Sequence, residues 1–324
     1  MKERDLSLDV IKILAMIGVV SLHTTCMYER NCLTLILGYL SLVSVPLFFM
    51  SSGYVMLRKD KITYRYALSK VLKILRYVAF FCASLFFIIS IKEGTLNVCN
   101  FVTLYVGAFF QKGVFWIFWY FGAMIIIYLI LPYLHKLFKT HFTYFIYIIF
   151  LLLIIESVIS TANVTTQFES SIPQSLRIWN WLFFFCLGGV IYRIEDKIPK
   201  VSNIVLLVLS IIFINYAVVF NPLWWTELGE FYYSSFALIS LVVALFIAIK
   251  QKKYTNSKVI GQLSLCFLPI YTFHPFIVRF VTKIAFWANW YIGGVIQLII
   301  CFLITLSISI IIMKIPYINK IFKI

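Results

Sequence analysis

The chain of 324 residues is 63% hydrophobic, 19% aromatic and only 12% charged, with a net charge of +16. That balance excludes a soluble domain. Repeated apolar runs long enough to cross a hydrocarbon core, each satisfying its own backbone, leave an all-α polytopic membrane bundle. The positive charge does not mark nucleic-acid binding, because the basic residues sit in short segments between apolar runs and not on one soluble face.

In chain order the runs predict ten spans, near 7–25, 33–57, 74–91, 114–134, 142–160, 178–193, 201–220, 231–249, 259–281 and 290–313. They form one integral membrane domain over 1–324. The run 98–110 is short for a crossing and reads as re-entrant or interfacial. The first run has no small-residue cleavage site after it and reads as a retained span. With a cytoplasmic N-terminus, ten spans put 22 of the 28 basic residues inside and leave only Arg30, Lys92, Lys112, Arg177, Arg279 and Lys283 outside. This is a positive-inside pattern with both termini cytoplasmic. The seven cysteines have no CxxC or metal-type spacing; Cys26 and Cys32 bracket the first outer loop and could pair there.

The first span carries Asp9, Lys12 and His23. Eleven residues make almost whole helical turns, so Lys12 and His23 lie within roughly 20° of each other, with Asp9 within about 60° of both. Each ionisable group at membrane depth costs on the order of 2.5 to 3.5 kcal/mol, so this stripe should face the bundle interior. The bland alternative is that Asp9 and Lys12 mark the inner end of the helix, with Lys12 snorkelling to the headgroups.

Further on, Pro46, Ser51, Ser52, Gly53 and Tyr54 loosen the second span, or simply allow close packing. The basic loop 58–76 follows, where Lys70, Lys73 and Arg76 recur every third residue and suit a phosphate-bearing ligand. Trp116, Trp119 and Tyr120 open the fourth span and, with Trp224 and Trp225, form either an interfacial aromatic belt or a sugar-stacking platform. Tyr271 and His274, followed by Pro275, lie deep in the ninth span, where a lone His is commonly a packing residue. Asn163-Val-Thr165 fits a glycosylation sequon that three residues match too easily to decide anything.

Together these segments carry a resemblance. Asp9-x-x-Lys12 and Val19-Val20-x-x-His23, then Phe48-Phe49-x-x-Ser52-Gly53-Tyr54 and the basic start of helix 3, resemble the acyltransferase 3 family of integral membrane acyltransferases. Trp119-Tyr-Phe, Tyr128-Leu-x-x-Pro132, Cys186-Leu-Gly188-Gly, and Ser264 followed by Ile270-Tyr271-x-x-His274-Pro275 continue in that family's order. The resemblance spans about residues 4–315. It implies transfer of an acyl group, usually acetyl, from cytoplasmic acyl-CoA to a hydroxyl of a cell-surface or lipid-linked glycan, with His23 as the catalytic histidine. It also implies a bacterial plasma membrane, and it leaves open whether the protein works with neighbours in polysaccharide biosynthesis. The family usually has Arg where this chain has Lys12, and its Arg-rich third-helix motif stands here as Lys70, Lys73 and Arg76, which carry over a basic role only.

The expected roles follow. His23 is the general base, because imidazole exchanges protons near neutrality. Lys12 lies about 16 Å along the helix from His23, too far to share one thioester carbon, and so pairs with Asp9 or engages the donor's phosphates. Lys70, Lys73 and Arg76 receive the nucleotide of acetyl-CoA or another acyl-CoA, a donor substrate and not a resident cofactor. Ser52, Tyr54, Trp119, Tyr271 and His274 are expected to bind substrate. The rival is a transporter of a small polar solute or lipid-linked sugar, which would often carry paired broken helices in two related halves; no such repeat is visible.

Overall fold

The apolar runs are rich in Leu, Ile, Phe and Val and close their own hydrogen bonds as helices, with Pro132 and Pro275 standing inside two of them. The computed structural model describes residues 4–24, 31–94, 96–166, 168–224, 230–255, 257–287 and 290–322, and every regular element among them is helical. The α-helices are α1 (Leu6–Thr24), α2 (Cys32–Ser41), α3 (Ser44–Leu57), α4 (Tyr64–Glu93), α5 (Val98–Phe109), α6 (Trp119–Thr140), α7 (Phe142–Thr166), α8 (Ile178–Ile194), α9 (Asn203–Trp224), α10 (Phe236–Lys250), α11 (Ser257–Leu265), α12 (Phe267–Ile284) and α13 (Gly293–Lys314). Cys26, Thr25 and Trp225 lie outside the described residues.

Among the described residues, six segments are long and apolar enough to cross a membrane: Leu6–Thr24, Cys32–Leu57, Tyr64–Glu93, Trp116–Thr140, Phe142–Asn163 and Gly293–Lys314. A seventh arises if Lys258–Leu265 and Phe267–Ile284, bent by 55° at their junction, form one span. Val98–Phe109, Asn203–Val219 and Phe236–Lys250 are shorter apolar helices.

Two boundaries differ from the sequence reading. Residues 58–76 are not one loop: α4 begins at Tyr64, because the Thr63 side chain accepts from the Tyr66 amide and starts the helix there. Lys70, Lys73 and Arg76 therefore ride on the helix itself. Likewise α7 runs six residues past the predicted end at 160, to Thr166.

Helices α3 and α8 pack tightly against each other, and glycines set their spacing. A Cβ at Gly53 would overlap the Phe185 carbonyl, and one at Gly188 would overlap the Met50 carbonyl. Small residues let two membrane helices bring their backbones together in this way. The looser reading of 46–54 thus gives way to the packing one at Gly53, while the helix breaks earlier, between Ser41 and Ser44.

At one end of the bundle, polar contacts gather segments that are far apart in sequence. Asp5 takes Lys250 at 2.7 Å and lies 3.7 Å from Arg58. The Tyr54 hydroxyl donates to Glu195 at 2.6 Å, and Arg193 donates to the Phe138 carbonyl at 2.8 Å. His135 meets the Lys59 carbonyl at 2.8 Å. We refer to this as the basic end, and to the opposite end, which carries His23, as the far end.

Candidate active site

Helix α1 delivers its polar stripe to two different chambers. His23, in the last turn, stands at the far end. Its ring stacks on that of His274 of α12, centroids 5.1 Å apart and planes 26° from parallel. The Trp116 ring also lies 5.1 Å from that of His23, nearly perpendicular at 86°. Two histidines from opposite parts of the chain and one tryptophan thus share a cavity of about 60 Å³.

The orientation of His274 follows from its neighbour. Pro275 has no N–H, so the Tyr271 carbonyl one turn back lacks its helical donor, and the His274 ring sits against the carbonyls of Ile270 and Tyr271. Its Nδ1 lies 3.1 Å from the Ile270 oxygen. A carbonyl only accepts, so Nδ1 carries the proton and Nε2 of the neutral ring presents a lone pair. That Nε2 is buried and has no hydrogen-bond partner among the described residues. A buried acceptor without a donor can take a hydrogen bond from a substrate hydroxyl.

The rest of the far chamber is lined by aromatic rings, by Val19, Leu22 and Val45, and by two side-chain amides. Trp119 lines it while resting on Trp181, ring centroids 5.1 Å apart, and Tyr271 lines it while donating its hydroxyl to the Ile117 carbonyl. Gln111 holds a left-handed backbone, φ 62°, unusual for a residue with a side chain, and its Oε1 accepts from the Gln174 amide at 3.1 Å. The Gln174 side chain lines the same chamber, and its own Oε1 is buried without a partner among the described residues. Gln111 and Gln174 escaped sequence reading, since an isolated Gln in a loop carries no signal and positive φ is invisible in composition.

Toward the basic end lies a larger cavity of about 520 Å³, lined by Lys12, Ser52, Lys73, Tyr128 and Ser264 among others. Tyr120 and Phe267 line both cavities. Tyr120 is anchored by Ser52, whose hydroxyl it meets, and packs on Phe49 at 4.9 Å. Phe267 packs on Phe48 at 4.8 Å.

The structure brings some predicted residues together and separates others. His23, His274, Tyr271 and Trp119 share the far chamber, and Lys12, Ser52 and Lys73 the basic one. Asp9 does not form an ion pair with Lys12. Its carboxylate accepts from Arg4 at 2.5 Å and from Ser264 at 2.7 Å, while Arg4 also donates to the Gly261 carbonyl at 2.9 Å. Asp9 thereby ties the start of α1 to α11 and leaves the Lys12 ammonium to the cavity. Lys70 and Arg76 line neither cavity, and Tyr54 is spent on Glu195 at the rim.

The model of the acyltransferase 3 family, described as an acyltransferase domain, covers residues 5–314. No curated protein and no solved structure matches the chain.

Proposed function

The chain belongs to the acyltransferase 3 family of membrane acyltransferases, and from that premise we propose that it transfers an acyl group, most simply acetyl, from cytoplasmic acyl-CoA to a hydroxyl of an extracytoplasmic or lipid-linked polysaccharide. The observation that carries this reading is the pair of chambers divided by Tyr120 and Phe267, cations in one and paired imidazoles in the other. In this reading the basic end is cytoplasmic, in a multi-pass protein of a bacterial plasma membrane with ten spans. The gathering of Asp5, Arg58, Lys59, Arg193 and Lys250 at one end supports that topology.

Lys12 and Lys73 meet the donor's phosphates from the cytoplasmic side, where ammonium groups act as point charges for phosphate oxygens. Lys70 and Arg76 add to the field at the mouth. The thioester end of the donor reaches up to His23. The acceptor hydroxyl enters from the far side, its sugar ring against Trp116 and Trp119 and its other hydroxyls on Gln111 and Gln174.

The acceptor oxygen attacks the thioester carbonyl carbon while His23 removes its proton. As the C–S bond breaks, His23 returns that proton to the departing thiolate. The products are an O-acyl ester and free CoA thiol, so atoms and protons balance without a resident cofactor. His274, with Nδ1–H held by Ile270 and Nε2 facing the chamber, orients the hydroxyl or supports the charged His23 ring.

A second reading keeps one observation in its favour. The 55° bend between α11 and α12 is the kind of broken span on which carriers build sites, and a septum between two chambers suits alternating access. Family membership and the oriented histidine pair favour transfer. The test is release of CoA thiol by purified protein given acetyl-CoA and bacterial surface glycans. Release that depends on both substrates supports the transferase; transport of an unmodified solute without release supports the carrier.

A further inference from the structure

The aromatic septum between the chambers offers an inference that rests on the acyltransferase reading and deepens it. Any acyl group passing from a donor held at Lys12 and Lys73 to His23 must cross the wall made by Tyr120 and Phe267. The wall is tightly built. Phe48 contacts both residues, with ring centroids 4.8 Å from Phe267 and 6.3 Å from Tyr120. Beyond it the far chamber holds only about 60 Å³.

The two wall residues are not equally fixed. Tyr120 is clamped by Phe49 and by the Ser52 hydroxyl. Phe267 is the first residue of α12, directly after the 55° bend, where a small backbone rotation swings its ring. It also borders a third cavity of about 160 Å³, walled by Ile13, Met16, Ile17 and Phe302, which gives the displaced ring somewhere to go.

We propose that Phe267, working against Tyr120, sets the size of acyl group that this enzyme transfers, admitting acetyl and retarding longer chains. Phe267 is then a specificity-determining residue on the donor side of the reaction. Its identity as one more phenylalanine in an apolar run is why sequence alone does not single it out. A pocket wall discriminates one methylene by roughly 10- to 200-fold, so a two-carbon extension of the acyl chain should be strongly disfavoured.

The test compares acetyl-CoA with butanoyl-CoA, using the full-length protein in detergent or proteoliposomes with one glycan acceptor. The reading is the butanoyl-to-acetyl ratio of kcat/KM within each variant. Wild type should favour acetyl, Phe267→Ala and Phe267→Leu should raise the ratio by about 10-fold or more, and Phe267→Trp should lower it. Ratios are taken only from variants that run as a single species in size-exclusion chromatography, and three side-chain sizes guard against one failing to fold. If wild type transfers acetyl but the ratio stays the same across the three substitutions, the proposal is overturned and the acyltransferase reading stands. If wild type transfers neither acyl group to any glycan, both the reading and the proposal fall.

Discussion

The imidazoles of His23 and His274 lie stacked 5.1 Å apart, joining the last turn of α1 to the middle of α12. The carbonyl freed by Pro275 and that of Ile270 fix the tautomer of His274, so the pair presents at least one ring nitrogen as an acceptor in a cavity walled by aromatic rings. Replacing His23 by Ala removes the proposed base and should lower acyl transfer by about 10²- to 10⁴-fold. His274→Asn retains a donor near the Ile270 carbonyl but loses the acceptor facing the chamber. It should stay folded and still lose most of kcat, as followed by CoA thiol release.

The cations toward the basic end should separate by position. Lys73→Ala should raise KM for acyl-CoA several-fold and change kcat less, because Lys73 lines the basic chamber. Lys70→Ala and Arg76→Ala should have smaller effects on KM, their side chains lying outside the cavity. Lys12→Ala should be the most damaging of the set and Lys12→Arg better tolerated, since the guanidinium keeps the charge. Steady-state kinetics at fixed acceptor reads each outcome.

Stability hinges on the α3–α8 seam. Gly53→Ala and Gly188→Ala would each drive a methyl into a backbone carbonyl of the partner helix, where no flexible side chain can yield. Overpacking of this sort costs about 1 to 3 kcal/mol or more. A lower midpoint of thermal unfolding in detergent, with Gly113→Ala of a peripheral loop as a comparison for strain at positive φ (73°), checks this. A seam tolerant of both methyls would contradict the packing described.

Acid should loosen the basic end. Burial pushes the Asp5 carboxyl up, but hydrogen bonds from Lys250 at 2.7 Å and Ser7 at 2.6 Å hold it below its ordinary 3.8. Because the folded value lies below the unfolded one, the stabilisation is complete above about pH 4 and is lost as pH falls through the folded value. Asp5→Asn should cost about 1 to 2 kcal/mol at neutral pH, Asp5 being half-buried. It should also flatten the fall in unfolding temperature below about pH 4, measured by a pH series in detergent.

Much of this arrangement is legible in sequence. The period of α1 places Lys12 and His23 on one stripe about 16 Å apart, which is why they reach two chambers and not one. Hydropathy marks the helical segments, and the His274-Pro275 pair marks a freed carbonyl. Other features are tertiary and leave no local trace. Asp9 is claimed by Arg4 because Gly261 and Ser264, more than 250 residues away, complete the cluster. Lys70 and Arg76 are 120° apart around α4, so only Lys73 between them faces the cavity. Phe267 and Tyr120 carry no charge or spacing that distinguishes them from other aromatic residues of the core. The start of α4 at Tyr64 depended on one capping threonine within a basic stretch that reads equally well as a loop.

The most direct measurement uses protein in sealed proteoliposomes of known orientation, with acyl-labelled CoA supplied only on the side of the basic end and a glycan acceptor only on the other. The account predicts that label appears on the acceptor with wild type and not with His23→Ala at equal protein in the membrane. Passage of an unmodified solute or lipid-linked sugar, with no label on any glycan, would contradict it and leave His23 as part of a carrier's path.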